Sequence, residues 1–231
     1  MGVDCIKILD DAYDDLKKLY KETDWNKCPV PSPKVHVYKR KALSWDGVAF
    51  KAEGKVKGTL DRLHDMMFHK YKAIWDKNTD YVEYIEELGP NESKLHEVIK
   101  SSLGGIISPR EFYLVGRMVD EPDYRCAYNV SFPHENDEKV LTTVDYKRMS
   151  NKEIVCGWSY PTGTFVAPTE EEGVCKVTLI FQVDFKGKLN NKLAENSMPM
   201  GLADWFSFLR HSEEKVPNYT PLVDEPGRRK K

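Results

Sequence analysis

Two hydrophobic periods alternate along the chain. Ile6, Leu9, Ala12, Tyr13, Leu16, Leu19 and Tyr20 recur at helical spacing and predict a helix over residues 3–23. The segment Cys28-Pro29-Val30-Pro31-Ser32-Pro33 stops it. Strand patterns follow near Val35–Lys41 and Val48–Lys57, separated by Trp45-Asp46-Gly47 as a turn. Leu60, Leu63, Met67, Phe68, Tyr71 and Ile74 share one face of a second helix over 60–74, with Thr59 as its N-cap. From Asp80 to Asp184 the pattern is mainly strand. Its clearest stretch sets Val177, Leu179, Phe181, Val183 and Phe185 against Thr178, Ile180, Gln182, Asp184 and Lys186, which predicts one buried face and one wetter face. A last helix is expected over Leu189–Arg210, with a kink or a late start at Pro199 and Gly201. Met198, Leu202, Trp205 and Leu209 form its apolar stripe.

Helix, strands, helix, a long antiparallel run and a last helix make an α+β chain. A curved antiparallel sheet with a helix across its concave side can enclose a ligand cavity, although the stripe from Met198 to Leu209 alone is also what ordinary core packing requires. At 231 residues one domain suffices, expected over 1–212, with 213–231 as a flexible tail.

A formal net charge of -2 gives no basic field that would draw nucleic acid, and the basic run Arg228-Arg229-Lys230-Lys231 is confined to the tail. No apolar run is long enough to span a bilayer. The N-terminus enters a helical pattern rather than a signal peptide, and Ile6 stands where a myristoylation signal needs Ser or Thr. Five irregularly spaced cysteines fit reduced thiols and a cytoplasmic location. Cys126, Cys156 and Cys175 read as small buried or half-buried strand residues.

Catalytic signatures are scarce: no phosphate loop, HExxH, GxSxG or CxxC occurs. The six histidines lack metal-ligand spacing, and nothing around Cys156 and His134 supports a nucleophile–base pair. No cofactor and no metal are expected. One pair stands out. Alternation puts Glu97 on the face of Leu95 and Ile99, and Arg117 on the face of Tyr113, Val115 and Val119. The two strands, joined through Gly104-Gly105-Ile106-Ile107-Ser108-Pro109, are expected to be antiparallel neighbours. An inward Glu and an inward Arg neutralise each other as a buried pair. Spacing alone leaves open whether both point inward or a bulge turns one outward.

At these residues the sequence resembles the START family of lipid-transfer domains, from the first helix to about His211. Ile107-Ser108-Pro109-Arg110-Glu111-Phe112 resembles a family strand motif, with Glu111 in place of the commoner Asp. Trp75-Asp76, Tyr160-Pro161-Thr162-Gly163 with Pro168, and the run from Leu179 to Leu189 resemble further family segments in the same order. The similarity is greatest to the small single-domain, sterol-binding members. It implies a helix-grip fold, a curved antiparallel sheet wrapped around a long C-terminal helix with an internal hydrophobic cavity. It also implies an acidic residue and an Arg inside that cavity, at Glu97 and Arg117, and a gate formed by the terminal helix and a neighbouring loop, here Val119 to Tyr124. Asp120, Glu121 and Asp123 give that loop an acidic rim.

The expectation is therefore a non-enzymatic, monomeric carrier of one lipid, with a sterol favoured and with transient membrane contact. Its lipid-binding residues are expected to be Leu95, Glu97, Tyr113, Val115, Arg117, Tyr128, Trp158, Met198, Leu202, Trp205 and Phe206. The alternatives are a carrier of a phospholipid, bile acid or other amphiphile, a small hydrolase or cyclase using the same cavity, and a lipid-sensing scaffold.

Overall fold

A computed structural model describes residues 4–101, 107–132, 154–187, 191–222, 224–225 and 228–229. Helix α1 (Cys5–Lys21) starts at Asp4, whose side chain accepts from the Lys7 amide, and ends with Lys18 and Lys21 in its last turn. Strands β1 (Asn26–Cys28), β2 (Val35–Lys41) and β3 (Val48–Lys57) follow, the last two with the bounds that their patterns predict. The second expected helix is two: α2 (Leu60–Asp65), capped by Thr59, and α3 (His69–Trp75). Phe68 between them is extended, so the chain turns there and Ile74 ends up exposed rather than on the inner face.

Strands β4 (Thr79–Gly89), β5 (Glu92–Ile99), β6 (Arg110–Asp120) and β7 (Arg125–Ser131) form a meander. Short β8 (Val155–Cys156) and β9 (Trp158–Ser159) precede β10 (Thr162–Pro168), β11 (Val174–Phe181) and β12 (Val183–Asp184). The main sheet runs β1-β2-β3-β11-β10-β7-β6-β5-β4, antiparallel along this path, with β8 parallel to β6 at its side and β9 paired with β12. The terminal helix α4 (Asn191–Arg210) and a single turn, α5 (Ser212–Lys215), close the domain. Pro199 is inside α4, which therefore runs through the expected break.

Both faces of the sheet are covered. Leu9, Leu16 and Leu19 of α1 pack on Val115, Phe165 and Ile180 at the convex face. On the concave face, Phe50, Val177, Leu179, Leu202, Phe206 and Leu209 join α2, α3 and α4 in the larger core. The expected wetter face of β11 is dry past its exposed Lys176: Thr178 and Ile180, and Gln182 just beyond the strand, are at most 1% exposed. Close packing of α4 requires Gly54 on β3, where a Cβ would lie 3.0 Å from the Lys34 carbonyl and 3.1 Å from Phe206.

Residues 213–222, expected to belong to a flexible tail, fold back onto α2 and α3. Val216 and Leu222 are buried, the Tyr219 hydroxyl donates to Asp65 at 2.7 Å, and Tyr71 donates to the Thr220 carbonyl at 2.6 Å. Short strands Asp224–Glu225 (β13) and Arg228–Arg229 (β14) pair beyond them. Apolar side chains at 216, 219 and 222 give the segment something to bury, so the chain does not leave the domain at 212.

Candidate functional site

The concave face does not meet α3 and α4 everywhere. Between them lies a cavity of about 530 Å³, within the roughly 300–1,000 Å³ typical of small-molecule sites. The register explains its floor. Glu97 is opposite Phe112, Gly116 opposite Asn129, Ala127 opposite Thr164, and Thr164 opposite Leu179, so one pleat face from β5 to β11 brings Glu97, Gly116, Asn129, Thr164 and Leu179 into the same wall. Met198, Leu202 and Trp205 of α4 form the roof, and Met67, Phe68 and Lys72 the flank. Trp75, whose Nε1–H donates to the Met66 carbonyl at 2.7 Å, meets Trp205 edge-on at 5.4 Å and braces α3 against α4.

One end of this apolar space is polar. The Lys72 ammonium lies 2.6 Å from Oε1 and 2.8 Å from Oε2 of Glu97, and the Thr79 hydroxyl donates to Oε1 at 3.3 Å. Asp76 is 5% exposed and accepts from the Asn78 amide at 3.0 Å. Burial opposes the charge on Lys72, but Glu97 and Asp76 outweigh it and hold the ammonium above its usual range. Burial pushes the Asp76 carboxyl up, only partly countered by Lys72 and the Asn78 amide.

The expected Glu97–Arg117 pair is not formed. Arg117 is opposite Glu92, five residues along the ladder from the Glu97–Phe112 step, about 17 Å at ~3.4 Å per residue. An odd offset without a bulge also puts the two side chains on opposite faces. Arg117 turns to the convex side, where Nε lies 3.0 Å from Glu92 and Nη1 lies 2.6 Å from Asp10 of α1. Because β6 is buried on both faces, its apolar alternation identifies two faces without telling which one meets the cavity. The cavity-facing position beside Arg117 is Gly116.

The remaining expected residues divide. Leu95, Glu97, Met198, Leu202 and Trp205 line the cavity. Arg117 and Tyr128 contribute to its wall, yet their polar ends leave it, the Tyr128 hydroxyl donating to the Leu9 carbonyl at 3.0 Å and its ring stacking on Tyr13. Val115 packs against α1, and Tyr113 stacks on His96 and donates to Glu111 at 3.2 Å. Trp158 pairs with Asp184 outside the cavity, and Phe206 fills the core beside Gly54. Lys72, Asp76 and Thr79 were not anticipated. The signal available was a row of Phe68, Lys72 and Asp76 at four-residue spacing.

The Arg110 of the Ser-Pro-Arg-Glu-Phe motif is structural. It donates from Nε to the Phe185 carbonyl at 2.5 Å and from Nη1 to Ser108 Oγ at 2.6 Å, tying the start of β6 to the chain that leads into α4. The loop Val119–Tyr124, expected beside the terminal helix, is fastened to α1 and α2. Tyr13 donates to Glu121 at 3.0 Å, Asp120 lies 3.5 Å from His64, and Arg125 next to the loop pairs with Asp61. Cys126 and Cys175 are buried as expected, while Cys156 is exposed. His134 and Gly104–Ile106 lie outside the described residues. Among the described residues no helix is long and apolar enough to cross a membrane.

Comparison with known proteins agrees with this architecture. Human StAR-related lipid transfer protein 6 is 23% identical over 190 residues, 80% of each chain. The mitochondrial steroidogenic acute regulatory protein of the horse is 22% identical over 177 residues, 74% of this chain and 57% of that one. The solved structure of human StAR-related lipid transfer protein 5 superposes with a TM-score of 0.79 at 18% identity, covering 92% of this chain and 98% of that one. The arrangement is the helix-grip fold, a large antiparallel sheet holding a C-terminal helix. The START domain family profile matches residues 15–215, and the chain belongs to the START domain family, whose membership implies lipid binding or transfer.

Proposed function

We propose that this protein binds one sterol molecule in the cavity and carries it between membranes, acting in the cytoplasm as a monomer and without bond chemistry. The observation that carries the reading is an apolar cavity between sheet and terminal helix with one buried polar end at Lys72 and Glu97. A rigid ring system fits walls such as Leu95, Met118, Leu179, Leu202 and Trp205. Each 100 Å² of apolar ligand surface removed from water there is worth about 2.5 kcal/mol, so the walls supply the affinity and the polar end sets the orientation.

Catalysis needs a group poised to attack or to exchange a proton. Glu97 is held by both Lys72 and Thr79, and no cysteine lines the cavity among the described residues. Both facts favour a carrier over a hydrolase or cyclase. Native mass spectrometry after incubation with liposomes of mixed sterol, phospholipid, bile acid and fatty acid content tests the proposal. One bound sterol per chain is the expected mass; a bound phospholipid or bile acid instead would replace the sterol reading.

A further inference from the structure

The polar end of the cavity has an unusual charge balance for an amphiphile site. One ammonium, Lys72, faces two carboxylates, Glu97 and Asp76, and both oxygens of Glu97 lie within 2.8 Å of it. The other ionisable groups along the wall do not alter this. Asp204 adds a further carboxyl, Lys100 is exposed and donates to the Lys77 carbonyl at 3.4 Å, and Arg117 points to α1. His69 packs its ring on Phe68 and Tyr84 at 4.0 and 5.3 Å.

We infer that Lys72, Asp76 and Glu97 make the cavity select neutral hydroxyl-bearing lipids and reject anionic headgroups. This rests on the carrier reading above and deepens it. A carboxylate, sulfate or phosphate entering this end finds its buried ammonium, Lys72, already committed to Glu97, while the remaining lysine of the described lining, Lys100, lies exposed at the edge. To pair with Lys72 it must displace Glu97, which leaves a buried carboxylate held only by the Thr79 hydroxyl. A hydroxyl meets no such conflict. It donates to an oxygen of Glu97 or Asp76 and accepts an N–H from Lys72, which has three donors. Gly116, opposite Ser93 and Asn129 on the same face and four residues along β6 from the Phe112 that faces Glu97, leaves that part of the floor without a side chain that would add a charge.

The test uses two matched pairs that differ only in headgroup charge: cholesterol with cholesteryl sulfate, and hexadecanol with palmitate. Binding of each to the full chain is measured by competition against a fluorescent lipid. In any pair that binds, the alcohol is expected to bind at least tenfold more tightly than the anion. Glu97→Gln, which releases Lys72, is expected to narrow that ratio at least fivefold by strengthening the anion. Asp76→Asn, which removes the second carboxylate, is expected to shift it in the same direction and serves if the first variant melts early. Equal affinities within a binding pair, or an unchanged ratio in a folded variant, overturn the inference. If only hexadecanol binds, the sterol reading fails while the charge rule stands; if no member of either pair binds, both fail.

Discussion

Lys72 reaches across from α3 to Glu97 on β5, with its Nζ 2.6 Å from one carboxylate oxygen and 2.8 Å from the other. The Glu97 side chain is 9% exposed, so that ammonium is its main partner away from water. Lys72→Met is therefore expected to destabilise the fold by about 3–5 kcal/mol, the cost of stranding one member of a buried pair. The double variant Lys72→Met with Glu97→Met is expected to recover most of that loss, because both charges leave together. Urea denaturation of the two variants checks this; an additive loss in the double variant would mean that the groups are not coupled.

Arg117 has the contrasting role. Its partners are Asp10, which is 61% exposed, and Glu92, which is 17% exposed, and both lie on the side of α1. Exposed pairs contribute about 1 kcal/mol or less. Arg117→Leu is expected to lower stability by about 1–2 kcal/mol and to leave lipid affinity within twofold of the parent. Thermal melting combined with a lipid titration measures both. A large loss of affinity with unchanged melting would return Arg117 to the binding site.

The difference between these two residues marks what the sequence could and could not tell. Strands Val35–Lys41 and Val48–Lys57 were legible because their apolar alternation is bounded by turn residues on both sides. The break at Phe68 was not, because Met66, Met67 and Phe68 continue a helical pattern through a point where the backbone becomes extended. Glu97 could be recognised as inward from Leu95 and Ile99. Its partner could not, since a lysine brought in by a separate helix leaves no mark in the alternation of the strand. Arg117 misled for a related reason: Val115 beneath α1 and Tyr113 against His96 are as buried as Met118 is over the cavity.

The segment after α5 offers a third test. Leu222 is fully buried, its amide donates to Asp65 Oδ2 at 3.1 Å, and the Arg62 guanidinium donates to the Val216 carbonyl at 3.0 Å. These contacts strap the segment across α2 and α3, and α3 with the Met67–Phe68 step before it forms one wall of the cavity. Leu222→Ala is expected to cost about 2–4 kcal/mol, typical of a buried leucine truncation. It is also expected to speed lipid release, because the wall loses its outer support. Stopped-flow release into acceptor liposomes reads the second effect, and normal stability together with normal release would make the strap dispensable.

The terminal helix is held unevenly, and a hinge is expected between its two halves. Its second half is anchored: Leu202, Phe206 and Leu209 are at most 3% exposed, and Arg210 donates to the Lys34 and Lys55 carbonyls at 2.8 and 3.3 Å. Its first half carries Leu193 at 41% and Met200 at 47% exposure. It borders a smaller recess of about 260 Å³, lined by Trp45, Tyr160 and Phe185, that shares Phe181, Phe185 and Met198 with the main cavity. Between the halves, Pro199 cannot donate to the carbonyl four residues before it, and Gly201 weakens the helix further. A Cβ at Gly201 meets nothing within 4 Å, so alanine fits there without a clash. Gly201→Ala is expected to stabilise the protein by about 0.5–1 kcal/mol and to slow transfer of a fluorescent sterol between liposomes severalfold, with equilibrium affinity little changed. Stiffening the helix acts on the barrier to opening more than on the closed complex, so rate and affinity should separate. Should the variant be stabilised as expected while transfer keeps its normal rate, the lipid enters by another route and α4 does not open at Gly201.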